Sequence, residues 1–70
     1  MKQYKSKEII NFLLKNNFIV IRKKGSHIFI YNEDTEKSTV VPFYNKDLKT
    51  GTLLSILKQS GFSKNDLEKC

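Results

Sequence analysis

Seventy residues with thirteen Lys and Arg, seven Asp and Glu and one His make a single small domain, 1–70, which buries only about 60% of the surface its unfolded chain exposes. A hydrophobic content of 39% with no low-complexity tract excludes a disordered chain, and no stretch approaches the ~20 apolar residues of a membrane span. The net charge of +6 points to polyanionic partners. From Ser6 to about Lys15, Ile9, Ile10, Leu13 and Leu14 form the stripe of an amphipathic helix. Ser6 suits its N-cap; Asn16 and Asn17 can end it, with Phe18 closing back over the last turn.

Phe18 to Arg22 and His27 to Tyr31 are rich in β-branched and aromatic residues and predict a hairpin joined by Lys23-Lys24-Gly25-Ser26, with Gly25 supplying a positive φ. Alternation groups His27, Phe29 and Tyr31 on one face and Ile28 and Ile30 on the other; both sets are apolar enough that either face suits the helices. Asn32 to Lys37 is an acidic loop, and Ser38 to Phe43 a third strand whose Pro42 fits an edge or strand end. After a polar connection from Asn45 to Lys49, Thr50 caps a second helix with Leu53, Leu54, Ile56 and Leu57 on one side. Gly61 and Phe62 end it, and Ser63-Lys64-Asn65-Asp66 opens a short terminal helix as a capping box. The order is that of an α+β domain.

The acids are clustered: Glu33, Asp34 and Glu36 share one loop, leaving thirteen basic residues against four acids elsewhere. The lone cysteine, Cys70, cannot form an internal disulfide. Lys2, Lys5 and Lys7 interrupt the start where a signal peptide would be apolar, so a cytoplasmic protein is expected.

His27 is the only residue of a type whose ordinary pKa, about 6.5, suits proton exchange at neutral pH. Metal-independent RNA cleavage needs a base for the 2′-hydroxyl, an acid for the leaving 5′-oxygen, and positive charge at the phosphate. His27 is the candidate base or acid. Arg22, Lys23 and Lys24, with Lys46 and Lys49 from the later connection, are candidate phosphate binders, and Ser26 and the amides around Gly25 add short-range donors. The plainer reading is an exposed hairpin turn beside a structural histidine.

Other chemistries fit worse. One histidine and an isolated acidic loop do not make a metal site, and no cofactor is expected. Ser26 and His27, as neighbours on a strand, point to opposite faces, and there is no nucleophile elbow. No phosphate-binding loop ends in Lys-Ser or Lys-Thr. A ribonuclease and a non-catalytic RNA-binding module that blocks translation by occupancy remain, beside a protein-interaction domain for an acidic partner.

Lys24-Gly25-Ser26-His27 on a strand, Val41-Pro42-Phe43-Tyr44-Asn45-Lys46-Asp47-Leu48-Lys49 after the third strand, and Gly51-Thr52-Leu53 with Ile56-Leu57-Lys58-Gln59 and Gly61 together resemble the HicA toxin family, the messenger-RNA interferases of HicA–HicB toxin–antitoxin pairs. The resemblance runs from Ser6 to about Leu67. It implies a fold like the double-stranded-RNA-binding domain, a three-stranded antiparallel sheet with two main helices on one face. It also implies translation-independent mRNA cleavage, growth inhibition and neutralisation by a cognate HicB-like antitoxin. The family's functional histidine maps onto His27, with Gly25 and Ser26 as its turn-forming neighbours. Many members carry a second histidine after the third strand, where this chain has Tyr44. A phenol can hydrogen-bond a phosphate or base, but it does not exchange protons near neutral pH as an imidazole does.

Overall fold

The computed structural model describes residues 3–69; Lys2, at the start expected to lack a signal peptide, and Cys70, the lone cysteine, lie outside them. In chain order the elements are α1 (Ser6–Lys15), β1 (Ile19–Lys24), β2 (His27–Asn32), β3 (Lys37–Pro42), α2 (Thr50–Ser60) and α3 (Lys64–Glu68). The strands form an antiparallel sheet in the order β1-β2-β3, and the α+β architecture matches the double-stranded-RNA-binding-domain-like expectation.

One face of the sheet takes the helices. Ile28, Ile30 and Val41 enter a cluster with Ile9 and Leu13 of α1 and Leu53, Ile56 and Leu57 of α2. Where the sequence left both faces of β2 open, the β-branched Ile28 and Ile30 are the buried pair, and His27, Phe29 and Tyr31 face away. Thr39, buried on the helix side, donates its hydroxyl hydrogen to Gln59 Oε1 at 2.8 Å, tying β3 to α2.

The helix ends follow local chemistry at some positions and distant partners at others. Asn17 takes φ +71, and the Phe18 amide donates to the Leu13 carbonyl at 3.1 Å, which turns the Phe18 ring into the core against Phe62. Gly61 at φ +86 ends α2, and Phe62 packs edge-on to Phe12 with ring centres 5.0 Å apart. Ser63 and Asp66 form the anticipated capping box: the Ser63 amide donates to Asp66 Oδ2 at 2.8 Å, and the Asp66 amide to Ser63 Oγ at 3.3 Å. The Ser63 amide, then its hydroxyl, hold the Asp66 carboxyl below its ordinary 3.8 against the opposing effect of desolvation, with the Lys69 charge adding least.

Several boundaries differ from expectation. Ser6 is not the N-cap of α1; Lys5 is, with its amide donating to Glu8 Oε1 at 3.0 Å, because the Ser6 hydroxyl is engaged elsewhere. Phe18 precedes β1, and Lys23 and Lys24 belong to β1 rather than to the turn, since both pair with β2. β3 starts at Lys37 and stops at Pro42, so Phe43 lies beyond it. Lys49, not Thr50, is the N-cap of α2: its backbone is extended, and its carbonyl accepts the first helical bond, from Leu53 at 2.9 Å. The polar connection hides an apolar anchor, as Leu48 is buried and its amide donates to the Tyr4 carbonyl at 2.8 Å.

Candidate active site

The hairpin loop is only two residues, Gly25 and Ser26, between Lys24 and its partner His27. Gly25 alone of the two has positive φ, +58, the pattern of a type II′ turn, whose twist suits right-handed strands. This loop pins the register: Lys24 stands opposite His27, Lys23 opposite Ile28 and Arg22 opposite Phe29. Residues paired across a ladder share a face. His27, Lys24 and Arg22 therefore lie together on the face turned from the helices, and Lys23 starts from the other.

The pairing then slips by one residue. Val20 pairs with Ile30, leaving Ile21 as a bulge, an insertion that bends and twists an edge strand. The bulge sets Val20, not Ile21, opposite the buried Ile30 and leaves Ile21 57% exposed. All six residues of β1 are exposed, so its cations reach solvent from an edge the helices do not cover.

On the other side of β2, Pro42 is the residue paired with His27. The chain continues past it under two restraints: the Phe43 amide donates to the Ser26 carbonyl at 2.6 Å, and the Tyr44 amide donates to Ser6 Oγ at 3.2 Å. Ser6 Oγ in turn donates to the Pro42 carbonyl at 2.6 Å. Ser6 is fully buried and so clasps the segment that borders His27, which explains why it caps no helix.

Of the residues expected at the site, His27, Lys24, Arg22, Gly25 and Ser26 are thus assembled at one end of the sheet, and all are exposed. Tyr44, half exposed, lies two residues beyond Pro42. Lys46 is exposed on the connection, whose far end is held instead against the N-terminal segment by the Lys5–Asp47 bridge. Lys49 lies past that bridge as the α2 N-cap. Phe29 belongs to no motif of the candidate site, yet the Arg22 guanidinium carbon sits 4.9 Å from its ring centre, within cation–π range. The period of two already places Phe29 on the His27 face; only the Arg22 contact singles it out. Among the described residues no group of three or more His, Cys, Asp or Glu side chains could hold a metal ion, and no helix is long and apolar enough to cross a membrane.

Chemically, the arrangement offers an accessible imidazole with a cation directly opposite and a second cation, Arg22, two pairs along on the same face. The model of the HicA toxin of bacterial toxin–antitoxin systems matches residues 6–62. The chain belongs to the HicA toxin family. No curated protein matches it. The HicA match begins at the Ser6 clasp and ends at Phe62, so it spans the sheet, both main helices and every candidate site residue, and leaves α3 outside. Membership gives the chain the role of a toxin paired with an antitoxin.

Proposed function

We propose that this HicA-family toxin is an endoribonuclease that cleaves mRNA, the whole chain 1–70 acting as one catalytic domain in the cytoplasm. His27 acts as general base or acid on the ribose–phosphate link, and Lys24 and Arg22 hold the phosphoryl oxygens; Lys23, Lys46, Lys49 and Tyr44 contact the RNA farther along. The 2′-hydroxyl oxygen attacks phosphorus as its proton leaves, the bond to the 5′-oxygen breaks, and that oxygen takes a proton. The products are a 2′,3′-cyclic phosphate and a 5′-hydroxyl, formed without a metal, and loss of mRNA halts translation and growth.

The observation that carries this reading is the Lys24–His27 pair, which places an exposed imidazole opposite a cation on a face with Arg22. Positive charge within reach of a phosphate lowers the cost of the charge that builds on it. The cognate antitoxin, a HicB-like protein, neutralises the toxin by covering this end of the sheet.

The test is a gel of purified toxin with RNA, with and without chelator, followed by end analysis. Cyclic-phosphate and 5′-hydroxyl ends in both lanes support the scheme; cleavage that needs added Mg²⁺ removes it. A second reading, RNA binding without cleavage, is favoured by one observation: the chain has a single histidine, with Tyr44 where many relatives have another. Under that reading the RNA is retarded but stays intact.

A further inference from the structure

The open face of the sheet carries side chains that acid–base chemistry at His27 does not use. Along β2 the outward positions are His27, Phe29 and Tyr31, with Phe29 and Tyr31 half-buried. Phe29 is flanked by Arg22 on β1 and Val40 on β3, and Tyr31 by Ile19 and Ser38. Outward positions follow one another every second residue, about 6.6 Å apart, a step comparable to one nucleotide of an extended strand.

Two features separate this face from a surface that only holds phosphates. Phosphate binding needs cations and amides, whereas the middle of the face is aromatic and aliphatic, with the Arg22 guanidinium over the Phe29 ring at 4.9 Å. Aromatic rings and guanidinium planes are what unpaired bases stack on. Duplex RNA keeps its bases stacked inside and is read through phosphates and 2′-hydroxyls, contacts that Phe29, Val40, Pro42 and Ile19 cannot make. The cations at the rim, Arg22 and Lys24, favour a polyanion as the occupant.

Resting on the ribonuclease reading, we infer that this face is a subsite for unpaired RNA bases. With the phosphate at His27 and Lys24, the adjoining base stacks on Phe29 beside Arg22, and the next reaches Tyr31. The toxin therefore selects single-stranded RNA even though its fold resembles a duplex-binding domain.

The test is fluorescence anisotropy at low salt with full-length protein carrying His27→Ala, so that binding is read without cleavage. The probes are a labelled single-stranded oligoribonucleotide, its duplex and an abasic ribose–phosphate strand of the same length. Adding Phe29→Leu, which keeps apolar bulk but removes the ring, is expected to weaken the single strand about tenfold, the order of one lost base stack. It should leave the abasic strand unchanged, and Phe29→Tyr should restore the affinity, which also shows that the loss is not a folding defect.

Equal binding of single strand and duplex, or no effect of Phe29→Leu on the single strand, overturns the subsite. So does a Phe29→Leu effect confined to the complex with the antitoxin, which would make the face a protein interface. Cleavage by wild-type protein, run in parallel, keeps the two ideas apart. Intact RNA together with a Phe29 effect removes the nuclease reading and supports the subsite, whereas cleavage with no Phe29 effect removes the subsite alone.

Discussion

The Ser6 hydroxyl donates to the Pro42 carbonyl at 2.6 Å, and Pro42 is the residue paired with His27 on the neighbouring strand. The first turn of α1 thus braces the site across 36 positions of sequence. The same oxygen accepts the Tyr44 amide, so one buried side chain satisfies a donor and an acceptor of the segment that borders the imidazole.

Ser6→Ala removes the partner of both of those part-buried groups. Orphaned buried polar groups cost about 1–3 kcal/mol, and 1 kcal/mol lowers Tm by roughly 4–8 °C in a domain of this size. Thermal unfolding by circular dichroism should show a drop of that order. A Tm equal to wild type would mean that the clasp contributes nothing to stability.

Gly25→Ala meets no steric obstacle, since a Cβ built there has no heavy atom within 4 Å. The penalty comes from the backbone alone, because φ +58 is unfavourable for an L-residue by about 1–2 kcal/mol. Urea unfolding should lose that amount of stability, and because the turn sets the Lys24–His27 pairing, RNA cleavage should fall as well. Unchanged stability would indicate that the loop can adopt another turn at no cost.

Ile30 is fully buried at the centre of the middle strand. Ile30→Val removes one methyl group and is expected to cost about 0.5–1.5 kcal/mol, read as a lower urea midpoint with an unchanged slope. Ile21→Val, at the exposed bulge, should stay within about 0.5 kcal/mol of wild type. The reverse ranking would place the core on the other face of the sheet.

Asp66 carries an acid-sensitive cap. Its folded pKa lies below the ordinary 3.8, so its contribution to α3 is present above the unfolded pKa and is lost as pH falls through the lowered folded value. Amide signals of residues 63–66 followed by NMR should show the capping box opening only as pH falls through that lowered value. Asp66→Asn should abolish that acid transition; an Asn variant with the same transition would assign it to another group.

Much of this architecture is legible in the sequence because local periodicity is physical. The stripes of α1 and α2, the Asn17 and Gly61 terminations and the Ser63–Asp66 box all follow from interactions within a few residues. What is not legible depends on partners far along the chain. Ser6 has the side chain of an N-cap, and only the arrival of Pro42 and Tyr44 diverts it. Lys23 and Lys24 resemble turn residues by charge, and only pairing with β2 makes them strand. Leu48 lies within a polar run until Tyr4 pairs beside it. Asn32, in a stretch that reads as loop, is buried: its amide donates to the Asn16 carbonyl at 3.3 Å, and its carbonyl oxygen accepts the Asp34 amide at 2.8 Å. The site was legible in its residue types, with His27, Gly25 and the cations adjacent in sequence. The division that places Arg22 and Lys24 with His27, and Lys23 across the sheet, is a matter of register, and the bulge at Ile21 has no local signal.

Incubating purified full-length His27→Ala toxin with RNA beside the wild type asks whether the imidazole carries out the chemistry. Removing a general acid or base typically costs about 10²–10⁴-fold in rate, so cleavage by the variant should fall at least about 100-fold while its circular dichroism and Tm match wild type. A folded His27→Ala protein that cuts RNA at the wild-type rate would contradict the account.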